Sequence, residues 1–183
     1  KDFQGYPDHN ALQKSRRADV VAFYGGLTST IPRLYELAAF YDGQGAITIA
    51  GGQHFAGDNI KEGLDNHIDY LIIGEGEHAI GELMDSFTNG TPTASVKGLA
   101  SKENGKIIET EERPPLPVEE IILLPQPDFS LLRHARVSLY PVSWERGCGM
   151  HCEFCTVKSK VRCPVPDYLV AQITSIYERH RGT

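Results

Sequence analysis

Hydrophobic and polar positions along this chain alternate between two periods. Ala18-Asp19-Val20-Val21-Ala22-Phe23-Tyr24 is apolar on both faces, the pattern of a strand buried in a parallel sheet. It runs into Gly25-Gly26 and then Thr28-Ser29-Thr30, hydroxyl residues suited to starting a helix. Pro32 fits the first turn of that helix, and Leu34, Leu37, Ala38 and Tyr41 recur at its spacing. The sequence repeats the cycle. Ala46–Ala50 predicts a second strand that leaves through Gly51-Gly52-Gln53-His54, with Asp58 placed to cap a short helix through Leu64. Asp69–Ile73 predicts a third, leaving through Gly74-Glu75-Gly76-Glu77 into a helix that carries Ile80, Leu83, Met84 and Phe87 on one face. Strand, glycine loop and helix, three times over, predict a parallel α/β sheet. Right-handed crossovers then place all three glycine loops at the carboxyl edge of the strands.

The texture changes after residue 95. Asn104-Gly105 between two short apolar runs predicts a hairpin. Pro114, Pro115, Pro117, Pro125 and Pro127 follow in one extended segment. Phe129–Leu132 predicts a short helix or turn. Residues 138–144 form a strand candidate weakened by Pro141. Asp167 is placed to cap a last helix with Leu169, Ile173, Ile176 and Tyr177 as its apolar stripe. Residues 1–17 are polar and aperiodic and predict no element. The expected division is 1–95 for an incomplete Rossmann-like domain, 96–135 for the hairpin and proline-rich linker, and 136–183 for the start of a second domain.

At 183 residues the chain is long enough to bury a sizeable core, and its net charge of −6 gives no electrostatic footprint for nucleic acid. No apolar run reaches the roughly 18 residues of a membrane span. The first residues lack the apolar stretch of an export signal, which points to a cytoplasmic protein whose cysteines are reduced.

Three of the 4 cysteines fall within ten residues, Arg146-Gly147-Cys148-Gly149-Met150-His151-Cys152-Glu153-Phe154-Cys155. Thiolates select zinc, copper(I) or iron–sulfur clusters. Zinc sites generally use two separated knuckles to reach four ligands, and no second knuckle is present here. Zinc held by the three cysteines with His151 or Cys163 remains an alternative. Three thiolates on a four-iron cluster would leave one iron open.

The spacing Cys148-x3-Cys152-x2-Cys155, with Phe154 before the last cysteine, resembles the cluster motif of radical S-adenosylmethionine (SAM) enzymes. The resemblance implies that Cys148, Cys152 and Cys155 hold a 4Fe–4S cluster whose open iron chelates SAM and whose electron cleaves it. It implies a TIM-type barrel, with residues 138–180 as its first β/α unit, and Phe154 beside the cluster and the adenine; the plain alternative for Phe154 is a core aromatic. It also implies a small-molecule substrate and an electron donor such as flavodoxin or ferredoxin. The upstream strands and loops are similar to the cobalamin-binding domain that precedes many radical SAM domains. That likeness implies a cobalamin pocket lined by Thr28, Ser29, Gly51, Gly52, Gln53, Gly74 and Glu75. The alternative is that these glycines only make tight turns.

Together the resemblance covers roughly residues 18–181. Two departures accompany it. Only three of about five expected strands are visible, and no Asp-x-His-x-x-Gly motif is present, which argues against His54 or His67 as a cobalt ligand. The Gly-Gly-Glu segment expected after a second barrel strand is also absent. The chain therefore reads as an internal fragment of a cobalamin-dependent radical SAM enzyme. Its rivals are a radical SAM protein with a cobalamin-free Rossmann-like domain and a zinc-stabilised interaction module.

Overall fold

A computed structural model describes residues 7–132, 139–150, 152, 153, 155, 157 and 159–180. The chain divides into two compact units, Arg17–Pro115 and Lys1–Arg16 with Leu116–Thr183.

The aperiodic start holds a helix, α1 (His9–Ser15), which the apolar pattern did not predict. Its signal is a cap rather than a stripe: the Asp8 carboxylate accepts the Ala11 N–H at 3.0 Å. The sheet unit follows with β1 (Val20–Tyr24), α2 (Ile31–Asp42), β2 (Ile47–Gly51), α3 (Asn59–Asp65), β3 (Tyr70–Ile72) and α4 (Glu77–Asn89). It is completed by the hairpin strands β4 (Leu99–Glu103) and β5 (Lys106–Glu109). The strand order is β1-β2-β3-β4-β5. The first three strands are parallel, and the hairpin extends them with two antiparallel pairings. The hairpin that the sequence set beside the proline-rich tether is thus part of the sheet. A proline count and a turn signal do not report pairing with a strand 30 residues away, and the apolar Leu99-Ala100 start of β4 is what joins it to the core.

Alternation along the strands splits the interior into two layers. Ala50, Leu71 and Ala100, with Phe23 partly buried, meet Ile31, Leu34 and Ala38 of α2 and Ile60 and Leu64 of α3 on one face. Ile49, Ile72 and Leu99 meet Ala79 and Leu83 of α4 on the other, with Ile80, Met84 and Phe87 packed around them. Helices on both faces of the sheet make this a Rossmann-like α/β arrangement.

The amino ends of β2 and β3 are tied by a polar lock. Thr48 is fully buried; its hydroxyl reaches the His67 carbonyl at 2.6 Å, and its N–H donates to the Asp69 carboxylate at 2.8 Å. Asp65 at the end of α3 takes both Lys102 of β4 and Lys61, whose hydrogen bonds hold its carboxyl down to about 2.

The second unit contains α5 (Val118–Ile121), a short turn at Phe129–Leu131 and α6 (Pro166–His180). The strand expected over 138–144 does not form: residues 139–144 lie in no strand, and Ser138 is outside the described residues. Pro141 lacks a ladder donor, and among the described residues the nearest regular pairing is the isolated antiparallel bridge between Arg146 and Arg162. In α6, Asp167 lies inside the first turn rather than before it. Of its expected stripe, Leu169 and Ile176 are half-buried, whereas Ile173 and Tyr177 are exposed.

Asp69→Ala removes the acceptor of the buried Thr48 N–H. It is expected to destabilise the sheet unit by about 1–3 kcal/mol in denaturant unfolding, the cost of one unsatisfied buried donor. An unchanged midpoint would show that the lock contributes nothing.

Candidate functional site

Two groups of predicted residues occupy separate units. The first is the carboxyl edge of the parallel strands. The register aligns Tyr24, Gly51 and Ile72, so the loops leaving β1, β2 and β3 emerge at one edge. Thr28 and Ser29 are exposed in a single 3-10 turn, Thr28–Thr30, directly ahead of α2. Gln53 is exposed and Glu75 half-buried in the next two loops.

The glycines of this edge serve different ends. Gly52 has φ +112°, and a Cβ there would lie 2.8 Å from the Gly25 carbonyl carbon. The Gly25 N–H donates to the Gly51 carbonyl at 2.7 Å, and the Gly25 carbonyl accepts the His54 N–H at 2.9 Å. Gly52 therefore lets the first two exit loops close on each other, backbone against backbone, whereas a Cβ on Gly51 would meet the Ile72 carbonyl oxygen at 3.3 Å. Gly74 differs: it has φ +87° and nothing within 4 Å of where its Cβ would be. Open space beside a left-handed glycine at a strand end is where a ligand's edge can approach the backbone.

The His54 ring, in the loop leaving β2, has an unusual setting. Its Nε2 is buried with no hydrogen-bonding partner among the described residues, while the ring packs edge-on to Phe55 at 5.2 Å. A cleft of about 340 Å³ lies at the opposite, amino edge of the sheet, between Asp42, Ile47, Asp69, Tyr70, Lys102 and Glu103. None of the predicted cofactor residues lines it. Two of its charged residues, Asp42 and Lys102, are already paired with His67 and Asp65.

The second group is the cysteine loop. Cys148, Cys152 and Cys155 are free and half-buried, and Cys163 is free and exposed. The loop is closed at its base by the Arg146–Arg162 bridge, with reciprocal N–H to carbonyl bonds of 3.0 and 2.9 Å. One step further in, the Cys148 N–H donates to the Ser159 carbonyl at 3.1 Å. Gly147 between them has φ +85°, and a Cβ there would meet the Lys160 carbonyl oxygen at 2.2 Å. No other residue type fits this closure.

Inside the loop two backbone amides point at sulfur. The Met150 N–H donates to Cys148 Sγ at 3.5 Å, and the Val157 N–H to Cys155 Sγ at 3.4 Å. Amides aimed at cysteine sulfur stabilise the negative charge that a metal-bound thiolate carries. Cys152 offers its carbonyl to the Cys155 N–H at 3.2 Å, which turns the chain between the second and third cysteines. Among the described residues no three His, Cys, Asp or Glu side chains are gathered tightly enough for a single metal ion. The Cys163 thiol donates to Glu145 Oε2 at 3.8 Å. Phe154 and His151 lie outside the described residues.

No helix among the described residues is long and apolar enough to cross a membrane. No protein-family profile matches the chain. Over 95 residues it is 34% identical to an uncharacterized methyltransferase of Pyrococcus horikoshii, a match covering 49% of this chain and 20% of that protein. Over 134 residues it is 26% identical to an uncharacterized methyltransferase of Synechocystis, covering 71% and 22%. The matched part is thus about a fifth of the length of these relatives. Among solved structures it resembles the radical SAM methyltransferase TsrM of Kitasatospora setae, solved with tryptophan substrate and a SAM analogue. There the TM-score is 0.67 at 16% identity, over 93% of this chain and 37% of that one. A second TsrM structure, with cobalamin and a [4Fe-4S] cluster bound, gives 0.67 at 15%, over 93% and 38%. The apo cobalamin-dependent SAM radical enzyme OxsB gives 0.68 at 15%, over 92% and 24%. At such identities the likeness is one of fold. The family that the cysteine and glycine loops resemble is therefore also the one whose solved members share this chain's fold over most of its length.

Proposed function

We propose that this chain is the cobalamin-domain and cluster-loop portion of a radical SAM methyltransferase. The observation that carries the reading is the cysteine loop: three half-buried thiols on a closed loop, two of them receiving backbone N–H groups. That donor set suits an iron–sulfur cluster bound through three thiolates. Cys148, Cys152 and Cys155 would hold it. Such a cluster supplies an open iron for SAM and the electron that cleaves it. The role of the chain's own atoms is to seat the sulfurs. Gly147 closes the loop, and the Met150 and Val157 amides offset charge on sulfur.

Cobalamin is the cofactor proposed for the sheet unit. Gly74 leaves the open approach, and Thr28, Ser29, Gln53 and Glu75 would offer polar contacts to a corrin rim. Gly51 and Gly52 would shape the exit loops that line the same pocket. Methyl transfer is favoured over radical rearrangement because both curated relatives are named methyltransferases. The substrate would be a small molecule, and an electron donor such as flavodoxin or ferredoxin would reduce the cluster. A second reading, a Rossmann-like unit that shapes a substrate cleft without cobalamin, is favoured by the packing within the unit that accounts for Gly51 and Gly52 without a ligand, Gly51 against Ile72 and Gly52 against Gly25.

Anaerobic reconstitution with iron and sulfide is expected to give a brown chain whose colour is lost in Cys152→Ala. Unchanged absorbance in that variant, or one zinc and no iron in anaerobically prepared protein, contradicts the cluster. Gly147→Ala is expected to weaken iron retention by roughly tenfold, measured by chelator competition, because it distorts the loop without removing a ligand. Retention equal to wild type would mean that the closure is irrelevant to the metal. Hydroxocobalamin is expected to co-elute with the chain, and Gly74→Val, strained at φ +87° as well as filling the approach, to abolish this. Absence of co-elution favours the cobalamin-free reading.

A further inference from the structure

The chain enters the cysteine loop through residues 139–145, which lie in no strand. An extended segment without a strand neighbour still has backbone donors and acceptors to satisfy. At Ser143 a side chain does this. Gln172, in the middle of α6 and 4% exposed, accepts the Ser143 N–H on Oε1 at 3.2 Å and donates Nε2–H to the Ser143 carbonyl at 2.7 Å. One amide thus supplies the donor and the acceptor that a neighbouring strand would give. The next residue is tied as well: Trp144 Nε1–H donates to the Pro164 carbonyl at 2.9 Å. Two residues later the Arg146–Arg162 bridge closes the loop.

We propose that Gln172 is a positioning residue for the cluster site. Through its paired hydrogen bonds to Ser143 it fixes the arm that delivers Cys148, and it couples α6 to the geometry at the sulfurs. This rests on reading the cysteine loop as a cluster site. The amide is suited to the task because it is neutral and carries one donor and one acceptor side by side. Leucine would fill the same space and leave both Ser143 groups unpaired. Glutamate would reproduce the pair only when protonated; ionised, it still accepts the Ser143 N–H on one oxygen but sets the other, with no proton to donate, against the Ser143 carbonyl. Burial raises a carboxyl pKa, so the protonated form persists into mildly acidic solution.

The test uses Gln172→Leu and Gln172→Glu in the whole chain. Two readouts need no metal: amide hydrogen exchange at Ser143, and the emission of Trp144, the chain's 1 tryptophan. In Gln172→Leu, exchange at Ser143 is expected to quicken by roughly tenfold and the emission to shift to the red at every pH. Gln172→Glu is expected to match wild type in both readouts at about pH 5; at about pH 8 its Trp144 emission is expected to shift toward that of the leucine variant, while the Ser143 N–H, still accepted by the carboxylate, stays protected. The third readout is the electron paramagnetic resonance spectrum of the reduced, iron-loaded chain at neutral pH, which is expected to differ from wild type in both variants. Unchanged exchange in Gln172→Leu, or a pH-independent Gln172→Glu, overturns the tie. Faster exchange with a wild-type spectrum overturns the positioning role alone. A wild-type chain that takes up no cluster overturns the cluster reading, and this proposal with it, while the exchange data still report the tie.

Discussion

Three thiols on one loop can share a metal cluster only if the two arms of the loop are held together, and here a backbone closure does this. Arg146 and Arg162 pair as an antiparallel bridge, the Cys148 N–H reaches the Ser159 carbonyl, and Gly147 makes the approach possible by having no side chain. With the arms fixed, the loop can turn two backbone amides inward toward sulfur. The closure is local and is built from main-chain atoms, so it depends on the glycine and not on an extensive apolar core. The large buried side chains of this protein lie chiefly in the sheet unit, where Phe55, Ile49, Leu71, Leu83 and Val96 are under 2% exposed or at about that level.

The sheet unit rests on a different constraint. Parallel strands in register bring three exit loops to one edge, and a large ligand needs such convergence more than it needs any single residue. Within that edge the backbone has already used part of the available space. Gly52 is packed against the Gly25 backbone and Gly51 against Ile72, and Gly74 keeps an open approach. The same residue type thus does two jobs at one sheet edge, and the environment of the missing Cβ distinguishes them.

Much of the sheet was legible in the sequence because periodicity reports burial directly. Ile49, Leu71 and Ile72, and the Leu83 face of α4, are buried where the pattern predicts. What escaped depends on contacts between distant residues. The hairpin read as part of a connection because nothing in Leu99–Glu109 names its partner, and the Ile72–Leu99 pairing is what joins it to β3. Residues 138–144 read as a strand because their apolar texture was right, but texture supplies no neighbour to pair with. Gln172 was invisible for a related reason: a glutamine in a helix is ordinarily a solvated residue, and here its partner lies 29 positions earlier. The cysteine spacing was legible at once. The closing glycine was noticed as part of the motif, but its reason, the Lys160 carbonyl, comes from a residue thirteen positions away.

The central claim is that Cys148, Cys152 and Cys155 hold a four-iron cluster with one iron free of protein thiolate. Mössbauer spectroscopy of the anaerobically reconstituted, isotopically enriched chain tests it directly, before and after addition of SAM. The account predicts a cluster in which one iron site is distinct from the other three and responds to SAM. A set of irons that ignores SAM, or a chain holding only a single metal ion, would contradict it.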